Sequence, residues 1–236
     1  MRDDGTALLF LHIPKTAGTS LVRELDLHFR ADARLHLYDP SPDSIHPDDF
    51  PGLPYESRAR LRFVAGHFEY GIHELIPRPA RYITILRDPV DRIRSLYDHF
   101  RSNDEPGEAD WHRWIKAHNA DLQRFVNDQP TVQTDNYMVR LVSGLHPPLG
   151  ACTPEMLAIA KAHLDTFSVV LIQEDMRPGL ARLSELLEVT IDSLRELNVN
   201  RLRTESVPDT TRETIARRNS LDVELYAHAR EVRPFG

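Results

Sequence analysis

The stretch from Ala7 to Ser20 constrains this chain more than any other. Ala7-Leu8-Leu9-Phe10-Leu11-His12-Ile13 is almost wholly apolar, Pro14-Lys15-Thr16-Ala17-Gly18-Thr19-Ser20 follows, and Leu21, Val22, Leu25 and Phe29 then recur at helical spacing. An apolar run of that kind reads as a strand buried on both faces of a parallel sheet. Pro14 ends it, because proline cannot donate to a ladder. Gly18 relaxes the backbone so that successive N–H groups can converge, and Thr19 and Ser20 add hydroxyl donors at a helix start. The unpaired N–H groups of a first helical turn, with the positive end of the helix dipole, favour an anion. Lys15 brings a full positive charge, in a chain with only three lysines (Lys15, Lys116, Lys161) among 29 basic residues. A nucleoside-triphosphate P-loop places its lysine after its glycines. Here Lys15 precedes Gly18 and the first glycine is missing, so the loop is phosphate-binding in kind without being a Walker loop.

A second element fits the first. Arg81 to Leu86 reads as another buried strand, running into Arg87-Asp88-Pro89-Val90-Asp91 and a helix through Tyr97. Asp88 suits the N-cap, Pro89 the first helical position and Asp91 the first turn. Arg87 then stands at the carboxyl end of a strand, where open α/β sheets bind ligands. Ser95 lies two turns into the helix, on the side of the cap. A guanidinium fork from Arg87 and a hydroxyl from Ser95 can close on one phosphate. The alternative is that Arg87 pairs with Asp88 or Asp91 and Ser95 packs.

Pro14 to Ser20 resembles the 5′-phosphosulfate loop of sulfotransferases, and Arg87 with Ser95 resembles their 3′-phosphate site. The chain is most similar to the family-2 carbohydrate sulfotransferases, which include the heparan sulfate and uronyl 2-O-sulfotransferases. Ala65-Gly66-His67-Phe68 is similar to their Gly-His segment, Asn136 to Gly144 to their mid-chain helix, and Leu197 to Arg201 and Leu221 to Tyr226 to their C-terminal region. The resemblance implies 3′-phosphoadenosine 5′-phosphosulfate as donor, with Lys15, Thr16, Ala17, Gly18, Thr19, Ser20, Arg87 and Ser95 around it and no metal required. It implies further donor contacts from Arg201 and Arg203, with Thr204 in the same late loop, and an acceptor hydroxyl on a sugar or glycoconjugate.

Sulfuryl transfer needs in-line attack by a hydroxyl, neutralisation of the leaving group and removal of a proton, which by analogy with phosphoryl transfer is mainly positioning and electrostatics. Lys15 suits the leaving group and His67 the proton. His67 follows the strand-like run Leu61 to Ala65, and imidazole titrates near neutral pH. The 2-O-sulfotransferases carry a second histidine two residues earlier, where this chain has Ala65. Glu69, His73, Glu74 and His12 are the alternative bases among 12 histidines and the nearby carboxylates. Tyr97, His99 and Arg101 either reach the acceptor or face water.

A length of 236 residues fits one domain, 1–236. The expected fold is α/β, P-loop-like and three-layered, with a central, mostly parallel sheet covered by helices on both faces. Helices are expected near 111–127, 132–143, 154–165, 175–188 and 209–232, the last broken around Asn219, and a further strand over Phe167 to Ile172. The Pro-rich stretch 39–54 reads as a loop, a candidate acceptor lid, and 102–110 as an acidic turn. A net charge of −7 argues against a nucleic-acid or membrane-surface binder and against a polyanionic acceptor. Cys152 is the only cysteine, so no intrachain disulfide forms. No signal peptide and no transmembrane run is evident, so the expected location is cytoplasmic, as in a bacterial-type member, whereas the animal relatives are membrane-anchored Golgi enzymes. Two other readings stay open: a nucleotide-dependent kinase or phosphotransferase on the same kind of fold, and a nucleotide-binding protein without catalysis.

Overall fold

The computed structural model describes residues 5–38, 44–102, 109–128, 130–194, 204 and 206–232. Their elements run β1 (Ala7–Leu11), α1 (Gly18–Asp26), β2 (Arg34–Leu37), α2 (Tyr55–Arg60), β3 (Phe63–Gly66), β4 (Ala80–Leu86), α3 (Pro89–Ser102), α4 (Ala109–Ala117), α5 (Leu122–Asp128), α6 (Tyr137–Ser143), α7 (Pro154–Asp165), β5 (Val169–Ile172), α8 (Met176–Leu187), α9 (Asp209–Arg218) and α10 (Ser220–Glu231). The five strands form one sheet in the order β2-β3-β1-β4-β5, and every pairing is parallel. The first strand is therefore central, and the expected α/β class with a parallel sheet is borne out.

Alternation along β1 explains why helices cover both faces. Leu8 and Phe10 pack with Leu21, Val22 and Leu25 of α1 and with Leu180, Leu183 and Leu187 of α8. Ala7, Leu9 and Leu11 face the other way, onto Met138 and Val142 of α6, Ala160 and Leu164 of α7 and Leu225 of α10. Each such Leu or Phe withdrawn from water contributes about 1.5–3 kcal/mol. A third cluster joins Ile93, Leu96 and Phe100 of α3 to Ile115, Phe125 and Ile215 beside the sheet.

Two helix starts hold each other. Asp222 on α10 accepts the backbone N–H groups of Met138 (3.2 Å) and Val139 (2.8 Å) in the first turn of α6. Asn136, at φ 48° just before α6, accepts those of Leu221 (3.0 Å) and Asp222 (3.2 Å). Each side chain thus caps the other helix. The lock joins two of the segments that carry the sequence resemblance, Asn136 to Gly144 and Leu221 to Tyr226.

Three expectations need correcting. The helix expected over 111–127 is two, α4 and α5: Asn119 turns left-handed (φ 44°), and Asp121 starts α5 by accepting the N–H of Arg124 at 2.8 Å. The helix expected from 132 begins at Tyr137, because Thr131 and Thr134 cap a separate short turn over Val132–Thr134 and Asn136 then reverses the backbone. The edge strand β2 was not anticipated; it is four residues long and mostly half-exposed, so it lacks the apolar run that marks its neighbours.

Candidate active site

The loop expected to bind phosphate, Pro14 to Ser20, sits at the carboxyl end of the central strand. Thr16, fully buried, ties it down by donating its hydroxyl to the carbonyl of Ile13 at 2.8 Å. Lys15 (φ 72°) and Ala17 (φ 69°) both take the left-handed conformation, which costs a non-glycine residue about 1–2 kcal/mol each. Left-handed residues alternating with right-handed ones turn successive N–H groups to one side and make an anion-binding concavity. Helix α1 starts at Gly18 with no side-chain cap and no acidic residue in its first turn. By contrast α3 is closed by Asp88, whose carboxylate accepts the N–H groups of Val90 and Asp91, both at 3.0 Å. The start of α3 is thus capped by its own sequence, and that of α1 is not. That donor set of backbone N–H groups, two hydroxyls and a lysine fits a phosphosulfate.

Arg87 stands at the end of β4, adjacent to β1, and donates to the carbonyl of Lys15 at 2.9 Å. Asp91, one of the two partners weighed for Arg87, pairs with Arg94 at 3.2 Å. Glu174, just beyond β5, accepts the N–H of Asp88 (3.0 Å) and the hydroxyl of Tyr226 (2.9 Å), which fixes the turn carrying Arg87. The two sequence motifs therefore meet across 72 residues. Ser95 is half-buried on α3. One turn further, buried Asp98 accepts the N–H (3.0 Å) and the hydroxyl (2.6 Å) of Thr204, which ties that residue to this helix. Arg201 and Arg203 lie outside the described residues.

His67 stands just beyond β3 on the face that carries α1. His12 lies across from it at the end of β1, with ring centroids 4.9 Å apart, and Tyr38 at the end of β2 meets His67 edge-on at 4.8 Å. All three occupy the position after the last paired residues of their strands, Leu11, Leu37 and Gly66, so the sheet's register sets them in a row. His12 is buried and stacks on Phe10, and its Nδ1 lies 2.9 Å from the hydroxyl of Tyr38. Burial first, then the nearby His67 and Lys15, hold His12 well below the ordinary imidazole value, so it is neutral. Burial, with Asp26, likewise raises Tyr38, so its phenol keeps its proton. Sequence reasoning ranked His12 low and missed Tyr38. The signal for His12 was its even-numbered alternation with Leu8 and Phe10; Tyr38 had none.

His73, Glu69 and Tyr97 have partners of their own. Tyr82 Oη accepts the N–H groups of Gly71 and His73, both at 3.1 Å, which leaves its own proton for His73 Nδ1 at 3.0 Å. Glu69 lies 3.4 Å from His146, and Glu74 is exposed. Tyr97 is buried and donates to the carbonyl of Ala120 at 2.9 Å, and Arg101 lies over its ring. A cavity of about 520 Å³ opens at the amino end of β5, lined by Phe167, Val170, Arg182 and His228 among others, away from the carboxyl-end loops.

A family model described as galactose-3-O-sulfotransferase matches residues 3–232. The chain belongs to the galactose-3-O-sulfotransferase family. It is 25% identical to the galactosylceramide sulfotransferase of Homo sapiens over 255 residues and to that of Mus musculus over 259 residues. Each alignment covers 97% of this chain and 58% of the relative, so the chain spans little more than half the length of these relatives. A solved structure of mouse sulfotransferase SULT7A1 complexed with PAP aligns over 97% of this chain and 90% of its own, at 14% identity and a TM-score of 0.32. The carbohydrate-sulfotransferase resemblance seen in the sequence holds, with galactose-3-O-sulfotransferases as the matching branch. No helix among the described residues is long and apolar enough to cross a membrane.

Proposed function

We propose that this chain is a sulfotransferase that moves the sulfuryl group of 3′-phosphoadenosine 5′-phosphosulfate to a hydroxyl of a galactose-bearing glycoconjugate, with His67 as base. The observation that carries the proposal is the uncapped, left-handed Lys15–Ala17 loop on the central strand, latched by Arg87 beside the His12–Tyr38–His67 row. Family membership and the printed names of the two relatives supply the reaction class and the galactose acceptor.

When bound, the donor supplies the sulfuryl group and an adenosine bisphosphate leaving group. The backbone of residues 16–20 and the hydroxyls of Thr19 and Ser20 hold its 5′ side, and Lys15 neutralises the charge that grows as the S–O bond breaks. Arg87 and Ser95 hold the 3′-phosphate, with Arg201 and Arg203 as further contacts. His67 takes the proton of the acceptor hydroxyl as its oxygen bonds to sulfur. A net charge of −7 suits a neutral galactosyl acceptor better than a sulfated polymer.

Calorimetric titration tests the proposal, with adenosine 3′,5′-bisphosphate compared against ADP and against ATP with Mg²⁺. Metal-independent binding of the bisphosphate, followed by sulfation of a galactosyl lipid, is the expected result. Preference for ATP with Mg²⁺ makes the chain a kinase. Bisphosphate binding without turnover on any acceptor makes it a binding protein.

A further inference from the structure

We propose that the hydrogen-bonded pair His12–Tyr38 is a positioning device that fixes the ring of His67, with neither member itself a catalytic residue. The inference rests on the sulfotransferase reading for the role of His67, and on geometry for the rest. The three rings form a closed triangle: His12 to His67 4.9 Å, Tyr38 to His67 4.8 Å, His12 to Tyr38 5.6 Å. Two of its corners are joined by the 2.9 Å contact between His12 Nδ1 and Tyr38 Oη. His12 is wedged on its remaining sides by the stacked ring of Phe10 and by Gly18, where a Cβ would stand 2.2 Å from its Nε2. A ring so enclosed has one orientation, and the hydroxyl of Tyr38 holds its Nδ1.

The charged and titratable groups that face the pair agree with a neutral His12. Lys15 approaches from the phosphate loop, His67 from the end of β3, and Asp26 with its partner His36 acts on Tyr38 from α1 and β2. A charged imidazole would add a third cation beside Lys15 and an imidazolium formed at His67. A neutral, oriented His12 avoids that and still holds the base in place. Misplacing a reacting group by about 1 Å costs on the order of a hundredfold in rate, so a fixed base ring is worth this much structure.

Tyr38→Phe tests the proposal, because it keeps the ring contacts and removes only the hydroxyl. Nitrogen-15 spectra of the histidine rings in the full chain, without donor or acceptor, should show His12 as one neutral tautomer between about pH 5 and 8. In Tyr38→Phe that tautomer should give way to a mixture, and the His67 ring resonances should move with it. Turnover should fall by about tenfold or more, while affinity for adenosine 3′,5′-bisphosphate stays within about threefold, a split that general loosening of the fold would not produce. A wild-type His12 that titrates or already shows mixed tautomers overturns the proposal, as does unchanged turnover in Tyr38→Phe. If the spectra behave as expected but the wild-type protein transfers no sulfuryl group, the sulfotransferase reading fails and the clamp stands.

Discussion

Gly18 and His12 touch so closely that no side chain fits between them: a Cβ on Gly18 would lie 2.1 Å from His12 Cδ2 and 2.2 Å from Nε2. The glycine of the phosphate loop is therefore required by the histidine beneath it, independently of any ligand. Gly18→Ala should cost about 1–3 kcal/mol of stability through overpacking. Combining it with His12→Ala should return part of that loss, giving a coupling of about 1 kcal/mol or more in thermal or denaturant unfolding. Strict additivity of the two substitutions would show that the loop moves aside.

Arg87 has two tasks, a bond to the carbonyl of Lys15 and a charge at the end of β4. Arg87→Ala should weaken binding of adenosine 3′,5′-bisphosphate by about ten- to a hundredfold, as expected for loss of a charge-assisted bidentate partner. Arg87→Lys keeps the charge without the fork and should recover only part of the affinity. Calorimetry on the three proteins checks this. Equal affinities would restrict Arg87 to bracing the loop.

His67, the proposed base, and His73 should separate by role. His67→Gln should reduce turnover by about 10²–10⁴-fold with bisphosphate affinity nearly unchanged, as loss of a general base does. His73→Gln should leave turnover within about fivefold and lower the melting temperature instead, because it removes the acceptor of the Tyr82 hydroxyl. Steady-state kinetics with melting curves distinguishes the two. The reverse pattern would make His73 the base.

Four of the five strands were legible because β1, β3, β4 and β5 are buried runs whose apolar composition is visible without context. The Asp88 cap was legible because capping is local. What escaped depends on contacts between distant residues. Strand β2 is an edge strand with Arg34 and His36 half-exposed, and Tyr38 acquires meaning only when β2 is laid beside β3. For Arg87 the sequence offered a phosphate or a neighbouring aspartate as partner and not the carbonyl of Lys15, since nothing in a sequence says that a loop carbonyl will turn towards a guanidinium. The breaks at Asn119 and Asn136 were visible in principle, as Asn is the residue after glycine most tolerant of positive φ.

Asp222 should make stability depend on pH in an unusual direction. It is fully buried, and burial pushes its carboxyl up to about 6 from the ordinary 3.8, with the charge of Arg92 and the N–H groups of Val139 and Met138 pulling the other way. The folded chain therefore holds this proton more tightly than the unfolded one. Its contribution to stability is fully present below about pH 4 and is lost as pH rises through about 6, a change of up to about 3 kcal/mol. The comparison that isolates it is wild type against Asp222→Asn, in denaturant unfolding at several pH values. The variant should be the less stable of the two at about pH 4, because its amide nitrogen, a donor, stands where one of the two accepting oxygens stood. The gap should narrow as pH rises from about 4 to 7, since only the wild type loses the protonation term there. A gap that widens over the same range would mean that the charge of Arg92 outweighs burial, and that Asp222 is ionised throughout.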